Sequence, residues 1–208
     1  MALQRSQTPI HWSYFLALED DLYDLARYVD FSEPNYLTYS IEIARLLLSA
    51  SAEVDSILKQ LTKRQNDTNR ADSIRDYFVP VTRAAPKFVN FKVSMPRYGI
   101  DFHPWSDWQE NSPPIWWSAH NQVKHHRHSQ FEQATLKNCL NSMAVLLIAV
   151  VHLHADEGKE GLLVGIPKLF SIPPDMGGGQ RWGALGHSQL FYLNDEDNPF
   201  LAQNEHPP

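Results

Sequence analysis

The chain has 208 residues, with 18 Lys+Arg against 24 Asp+Glu and a formal net charge of −6 with histidine neutral. With 43% hydrophobic residues it can bury one sizeable core, which excludes a disordered chain, a collagen and a disulfide scaffold. A single cysteine, Cys139, cannot form an internal disulfide and suits a reducing cytoplasm. The longest apolar run, Met143 to Val151, falls short of the ~20 residues a membrane-spanning helix needs. The first twelve residues show no signal pattern, so no membrane association is expected.

Residues 12–29 read as an amphipathic helix. Phe15, Leu18, Leu22, Leu25 and Val29 form its apolar stripe, and Glu19, Asp20, Asp21, Asp24 and Arg27 take the other faces. Ser32 to Asn35 breaks it and offers helix-start residues. A longer helix is expected over 36–62, with Tyr39, Ile43, Leu46, Leu47, Ala50, Val54, Ile57, Leu58 and Leu61 on one side. A polar loop at 63–71 precedes a short helix over 72–79 that ends near Pro80. Alternation at Phe88 to Val93, a turn at Met95 to Gly99 and a return at Ile100 to His103 predict a small hairpin. Residues 115–157 hold neither Gly nor Pro and read as helix, broken near Ser129 where Ser129 to Glu132 fits a capping box. The fold class is then mainly α, an up-and-down antiparallel bundle over 1–154 with a hairpin insertion at about 86–104.

Beyond residue 154 the composition changes. Eight of the nine glycines lie there, with three basic and eight acidic residues. Residues 155–208 therefore read as an acidic, Gly/Pro-rich C-terminal arm. Leu162, Leu163, Val164, Ile166, Leu169, Phe170 and Phe191 make it too apolar for a solvated linker, so it should pack on the body or on a partner. One arrangement lays it over the basic helix as a cover.

That basic helix is the segment Ile115 to His128, in which four histidines, Lys124 and Arg127 follow Trp116 and Trp117. Asn121, Lys124, His125 and His128 are spaced to share one helical face. An amide, imidazoles and cations converging beside an aromatic anchor suit an anionic ligand. The alternative is a solvated basic face. On the second helix Glu42, Arg45, Ser49 and Glu53 form a polar strip. If it faces the His-rich helix, its carboxylates could orient His125, Lys124 or Arg127. His125 and His128 are i, i+3, but neither an HExxH pattern nor a cysteine pair accompanies them, so no metal or other cofactor is expected. His152 and His154 are placed at the end of the last helix, as cations meeting its dipole. Cys139 reads as core rather than nucleophile. The net negative charge leaves no broad basic surface for duplex DNA.

The pattern Trp-Trp-x-x-x-Asn-x-Val-Lys-His-x-Arg, Trp116 to Arg127, on long paired helices resembles the HEPN superfamily over about residues 12–154. Those are helical, commonly dimeric proteins of toxin–antitoxin, phage-defence and RNA-processing systems, many of them metal-independent ribonucleases. Their motif is an Arg, then four to six residues, then a His, often with Asn directly after the Arg. Asn121 and His125 fall on its Asn and His, whereas His120 stands where it has Arg. The loose matches Arg5–His11, Arg97–His103 and Arg181–His187 lie on no long helix and are set aside. Two functions follow from the resemblance. One is a module, expected as a homodimer, that binds RNA or a cognate protein through the His/Lys/Arg face. The other is an endoribonuclease with His125 as acid/base, Asn121 as support, Lys124 and Arg127 on the phosphate, and Glu42 and Arg45 behind them.

Overall fold

The protein, described over residues 8–65, 72–182 and 189–193 by a computed structural model, is mainly helical. Among the described residues there are six α-helices and two antiparallel two-stranded hairpins. The helix α5 (Leu136–Leu153) is apolar on all sides, and only Lys137 and Asn141 escape burial. By length and composition it could cross a membrane, with a mean hydropathy of 1.6 over 18 residues, yet 89% of it is buried inside the protein. A helix of that kind needs cover all round. α2 (Ile41–Gln65) lies along it most extensively, and α1 (Ile10–Leu25) and α4 (Ile115–Gln130) each touch both. α3 (Ile74–Ala84) packs on α2.

Several boundaries differ from the sequence expectation, each for a local reason. α2 begins at Ile41, not 36, because the preceding segment serves α5 instead. The carbonyls of Thr38 and Tyr36 accept the amides of Leu136 (2.7 Å) and Lys137 (3.1 Å), two of the donors a helix start leaves unpaired. Ser40 then accepts the Ile43 amide at 3.1 Å and starts α2. α3 runs through Pro80 to Ala84, because Ile74, Tyr77 and Val81 are buried at helical spacing and Ala85 follows on that side. The break in the long helical segment falls at His126, with φ −131° and ψ 34°, and the next helix is capped by Thr135, not Ser129. The first hairpin is shorter than expected, β1 (Val93–Met95) against β2 (Ile100–Phe102), since Phe88–Asn90 forms a 3-10 turn. Its tight turn places Gly99 at φ +64°.

His152 and His154 are buried rather than exposed at the helix end. The His152 Nδ1–H donates to the Ile148 carbonyl at 2.7 Å, and its ring sits edge-on to Phe88 and Phe91, 5.0 Å from each. Burial lowers the His154 pKa. Cys139 is fully buried, and its thiol is pushed up to about 12, an inert core position.

The start of the arm shares the body's core: Leu163, Leu169, Phe170, Ile172 and Phe191 are all buried in it. After the short α6 (Ala155–Lys159), the chain passes α1 and β1. Trp12 donates to the Val164 carbonyl at 2.9 Å, and Ser171 exchanges two backbone bonds of 2.8 Å with Ser94. Gly177 turns the chain at φ +82° into β3 (Gly178–Trp182), which pairs with β4 (Gln189–Leu193). Gly178 lies against the Ile172 carbonyl, where a Cβ would stand 1.9 Å from the oxygen. Phe191 stacks on Trp12 at 5.3 Å. The described part of the arm thus packs on α1, α5 and β1 rather than lying as a cover along the basic run; residues 183–188 and 194–208 lie outside the described residues.

One buried charge fixes this path. Glu19 is fully buried, and its carboxylate accepts the amides of Lys168 (2.8 Å), Leu169 (2.9 Å) and Phe170 (3.0 Å). The sequence reading put Glu19 on a polar face, although it stands i+4 from Phe15 on the buried stripe. Burial lifts its carboxyl above the usual range, against the pull of the three amides. Replacing Glu19 by Ala leaves those amides without their acceptor. The expected cost is about 2–4 kcal/mol in urea unfolding, with faster proteolysis after residue 160. Unchanged stability and cleavage would show that the arm is held by apolar packing alone.

Candidate functional site

The inward side of α4 is set by Trp116, Trp117, Ala119, His120 and Val123, all buried. Position 120 therefore faces the body, and the residues beside it open onto a cleft of about 550 Å³. Its walls come from three helices. α2 supplies Ala52, Asp55 and Lys59; α3 and the residues before it supply Asp72, Ser73, Ile74 and Arg75; α4 supplies Trp117, His120, Asn121 and Lys124. Pro113 completes the lining.

His120 is 3% exposed, with its ring 5.0 Å from that of Trp117. Its Nδ1 has no hydrogen-bond partner, a condition that costs about 1–3 kcal/mol when nothing satisfies it. Burial first, then Lys124 and His125 nearby, push its pKa down to about 4, with Asp55 pulling the other way. It is a neutral imidazole at physiological pH. Behind it, the buried Tyr77 donates to Asp55 Oδ1 at 2.9 Å, and Lys59 donates to Oδ2 at 2.7 Å. Both contacts fix the carboxylate. Tyr77 is raised by burial first and Asp55 second, and Lys59 is raised by its hydrogen bond to Asp55. The start of α3 is closed by its own capping box, in which Ser73 N and Oγ both donate to Asp76 Oδ2, at 2.9 and 2.8 Å. That end of the cleft therefore offers Arg75 rather than open amides.

The residues singled out in sequence are divided between two places. His120, Asn121 and Lys124 meet in the cleft. Arg127 and Arg45 line a second, mostly apolar groove of about 610 Å³ with Ile41, Ala44, Leu48, Ser49 and Phe131. His125 is exposed, and among the described residues it makes no hydrogen bond or ion pair. The non-helical backbone at His126 interrupts the face that Asn121, Lys124, His125 and His128 would share on a straight helix.

The charged groups of the α2 polar strip pair with each other and with α1, although Arg45 and Ser49 also line the groove beside Arg127. Arg45 Nε donates to both Glu42 oxygens at 3.0 Å and Nη2 donates to Asp21 Oδ2 at 2.6 Å. The arginine holds the Glu42 carboxyl below its usual range. All three side chains are nearly half exposed, so the trio adds at most about 1 kcal/mol. Glu53, farther along, pairs with His11. Glu42 and Arg45 thus do not support His125.

Asp55, Lys59, Tyr77 and Arg75 were missed in sequence. Ala52, Asp55 and Lys59 stand at i, i+3, i+7, a strip parallel to the one considered, and i, i+4 Asp–Lys spacing was its visible sign. Among the described residues no cluster of His, Cys, Asp and Glu is arranged to hold a metal. No family model, no curated protein and no solved structure matches the chain.

Between pH 6.5 and about 4 the unfolded chain binds a proton at His120 that the folded chain does not. Its contribution to stability is complete above pH 6.5 and lost as the pH falls through 4, up to about 3 kcal/mol. Urea unfolding at pH 7 and 4.5 should therefore show a smaller acid loss in His120→Phe than in the wild type. An equal loss in both would mean that the imidazole is solvated.

Proposed function

We propose that this chain is an HEPN-like helical bundle protein that binds single-stranded RNA through the outer end of α4 and the cleft beside it. The observation that supports this best is the run Lys124, His125, His126, Arg127 and His128. All five side chains are exposed, and among the described residues none forms an ion pair. Unpaired cations in sequence are the usual means of holding a phosphate backbone. The bend at His126 leaves Lys124 at the cleft and Arg127 at the apolar groove, so the cations diverge over a short distance. Phe131 and the half-exposed Tyr39 lie at the Arg127 end, with ring centroids 5.8 Å apart. A flexible strand can follow so short and bent a path and stack a base there, whereas a duplex would meet the net negative surface around it. The resemblance to toxin–antitoxin and phage-defence proteins supplies the setting of this reading, and pairing of two copies its assembly.

The ribonuclease reading is less well supported. The family motif has an arginine where this chain has His120, and a buried neutral imidazole cannot supply that charge. His125 also lacks a carboxylate to orient it among the described residues.

Lys124→Glu combined with Arg127→Glu should weaken binding of a short single-stranded RNA by about tenfold or more. It should also reduce the slope of log affinity against log salt by about two. Fluorescence anisotropy across a salt series measures both. Unchanged affinity and slope would contradict the reading, and RNA cleavage in EDTA that His125→Ala abolishes would put the endoribonuclease in its place.

A further inference from the structure

The corner where the arm leaves the bundle brings two histidines together. His154 ends α5 and begins α6, and its ring stands 5.6 Å from that of His11 at the start of α1. Each imidazole is tied to a carboxylate. His154 Nδ1–H donates to Glu157 of α6 at 3.0 Å, and His11 Nδ1–H donates to Glu53 of α2. The Gln60 side-chain amide lies 2.9 Å from the second nitrogen of His11. The second nitrogen of His154, Nε2, is buried without a hydrogen-bond partner. Bare, it is a lost acceptor. Protonated, it becomes the N–H of a buried cation with nothing to receive it, which is the costlier condition. Burial is the largest influence on this ring and holds it below its ordinary titration range. Glu157 favours a charge there, whereas His11 and Arg64 of α2 oppose one. Arg64 is fixed at the corner by its hydrogen bond to the Leu153 carbonyl, 2.8 Å.

The same corner anchors the first stretch of the arm. The Gly158 amide donates to the His154 carbonyl at 2.9 Å, and the Phe191 amide of β4 donates to the Leu163 carbonyl at 3.0 Å. Trp12, next to His11, holds the Val164 carbonyl. Glu19 grips the chain only from Lys168 onward. An opening that starts at His154 can therefore stop at residue 167, short of that clamp. We propose that the His11–His154 contact is an acid-operated latch: a proton on His154 opens the corner and releases residues 155–167 from α1, while the bundle and the contacts of Glu19 stay in place. The closed corner prefers the neutral imidazole, and the open one, in water, takes the proton at about pH 6.5. Closure is thus complete above that pH and weakens as the pH falls below it. Release takes Leu163, fully buried in the closed form, out of the core. The latch is independent of the RNA reading above.

Asparagine places an N–H near where histidine has Nδ1, so His154→Asn and His11→Asn keep a donor for Glu157 and Glu53 but cannot titrate. Hydrogen exchange of the full chain at pH 7.5 and 5.5, read by mass spectrometry and corrected for intrinsic exchange rates, measures the opening of 155–167. In the wild type these amides should exchange faster than those of 140–152 at both pH values, and their protection should fall about three- to tenfold at pH 5.5. His154→Asn should keep the wild-type protection at pH 7.5 and abolish the acid loss, and His11→Asn should reduce that loss. An equal acid loss in the wild type and both variants would overturn the latch, because another group would then carry it. Exchange of 155–167 only at the rate of 140–152 would overturn it too, since the corner would then open only with the whole bundle. If His154→Asn does not fold, the wild type against His11→Asn decides by the same criterion.

Discussion

The structure depends on α5 being apolar all round. Burying such a helix requires cover on every side, and each covering element surrenders one face to it. α2 gives Ile43, Leu46, Leu47, Ala50, Val54, Ile57 and Leu58 to the core; α4 gives Trp116, Trp117 and Val123; even the arm gives Leu163, Phe170 and Phe191. The placement of polar groups then follows. His120 lies on the inward side of α4 and is desolvated, whereas Lys124 to His128 come after the last inward contact and stay in water.

The same constraint explains the role of Glu19. The arm must lie against α1 to help close the core, and its backbone at Lys168 to Phe170 brings three amides that need an acceptor. A carboxylate on the buried stripe supplies it. A leucine there would improve the stripe and orphan the amides.

The sequence showed the apolar stripes well, because they are local and periodic. Phe15, Leu18, Leu22 and Leu25 are buried as expected, whereas Val29 lies past the end of α1 and is only partly buried; all the expected core positions of α2 except Tyr39 are buried. Tyr39 fell outside the helix through a pairing with Thr135, nearly a hundred residues away, which no local pattern shows. The polar residues were harder. Six of the seven singled out lie beside one of two concavities or in the α1–α2 ion-pair trio, but not in the single cleft anticipated. Which strip of α2 faces α4 turns on a rotation of about 100° per residue, and the strips through 53 and 55 look equally polar on paper. The break was expected near Ser129 rather than at His126, since neither Gly nor Pro marks its place. His120 was noticed as a missing arginine; that it is buried and uncharged depends on tertiary packing alone.

These features give α4 two chemistries on one helix: a desolvated imidazole and amide toward the body, and solvated cations beyond the bend. The first group can make directional hydrogen bonds, and the second acts through charge alone. The most direct test is a pH titration of the His120 imidazole by NMR, followed through its ring carbon resonance. A midpoint near 4 is what this arrangement predicts. A His120 midpoint near 6.5, the ordinary value of a solvated imidazole, would mean that the inward face of α4 is wet.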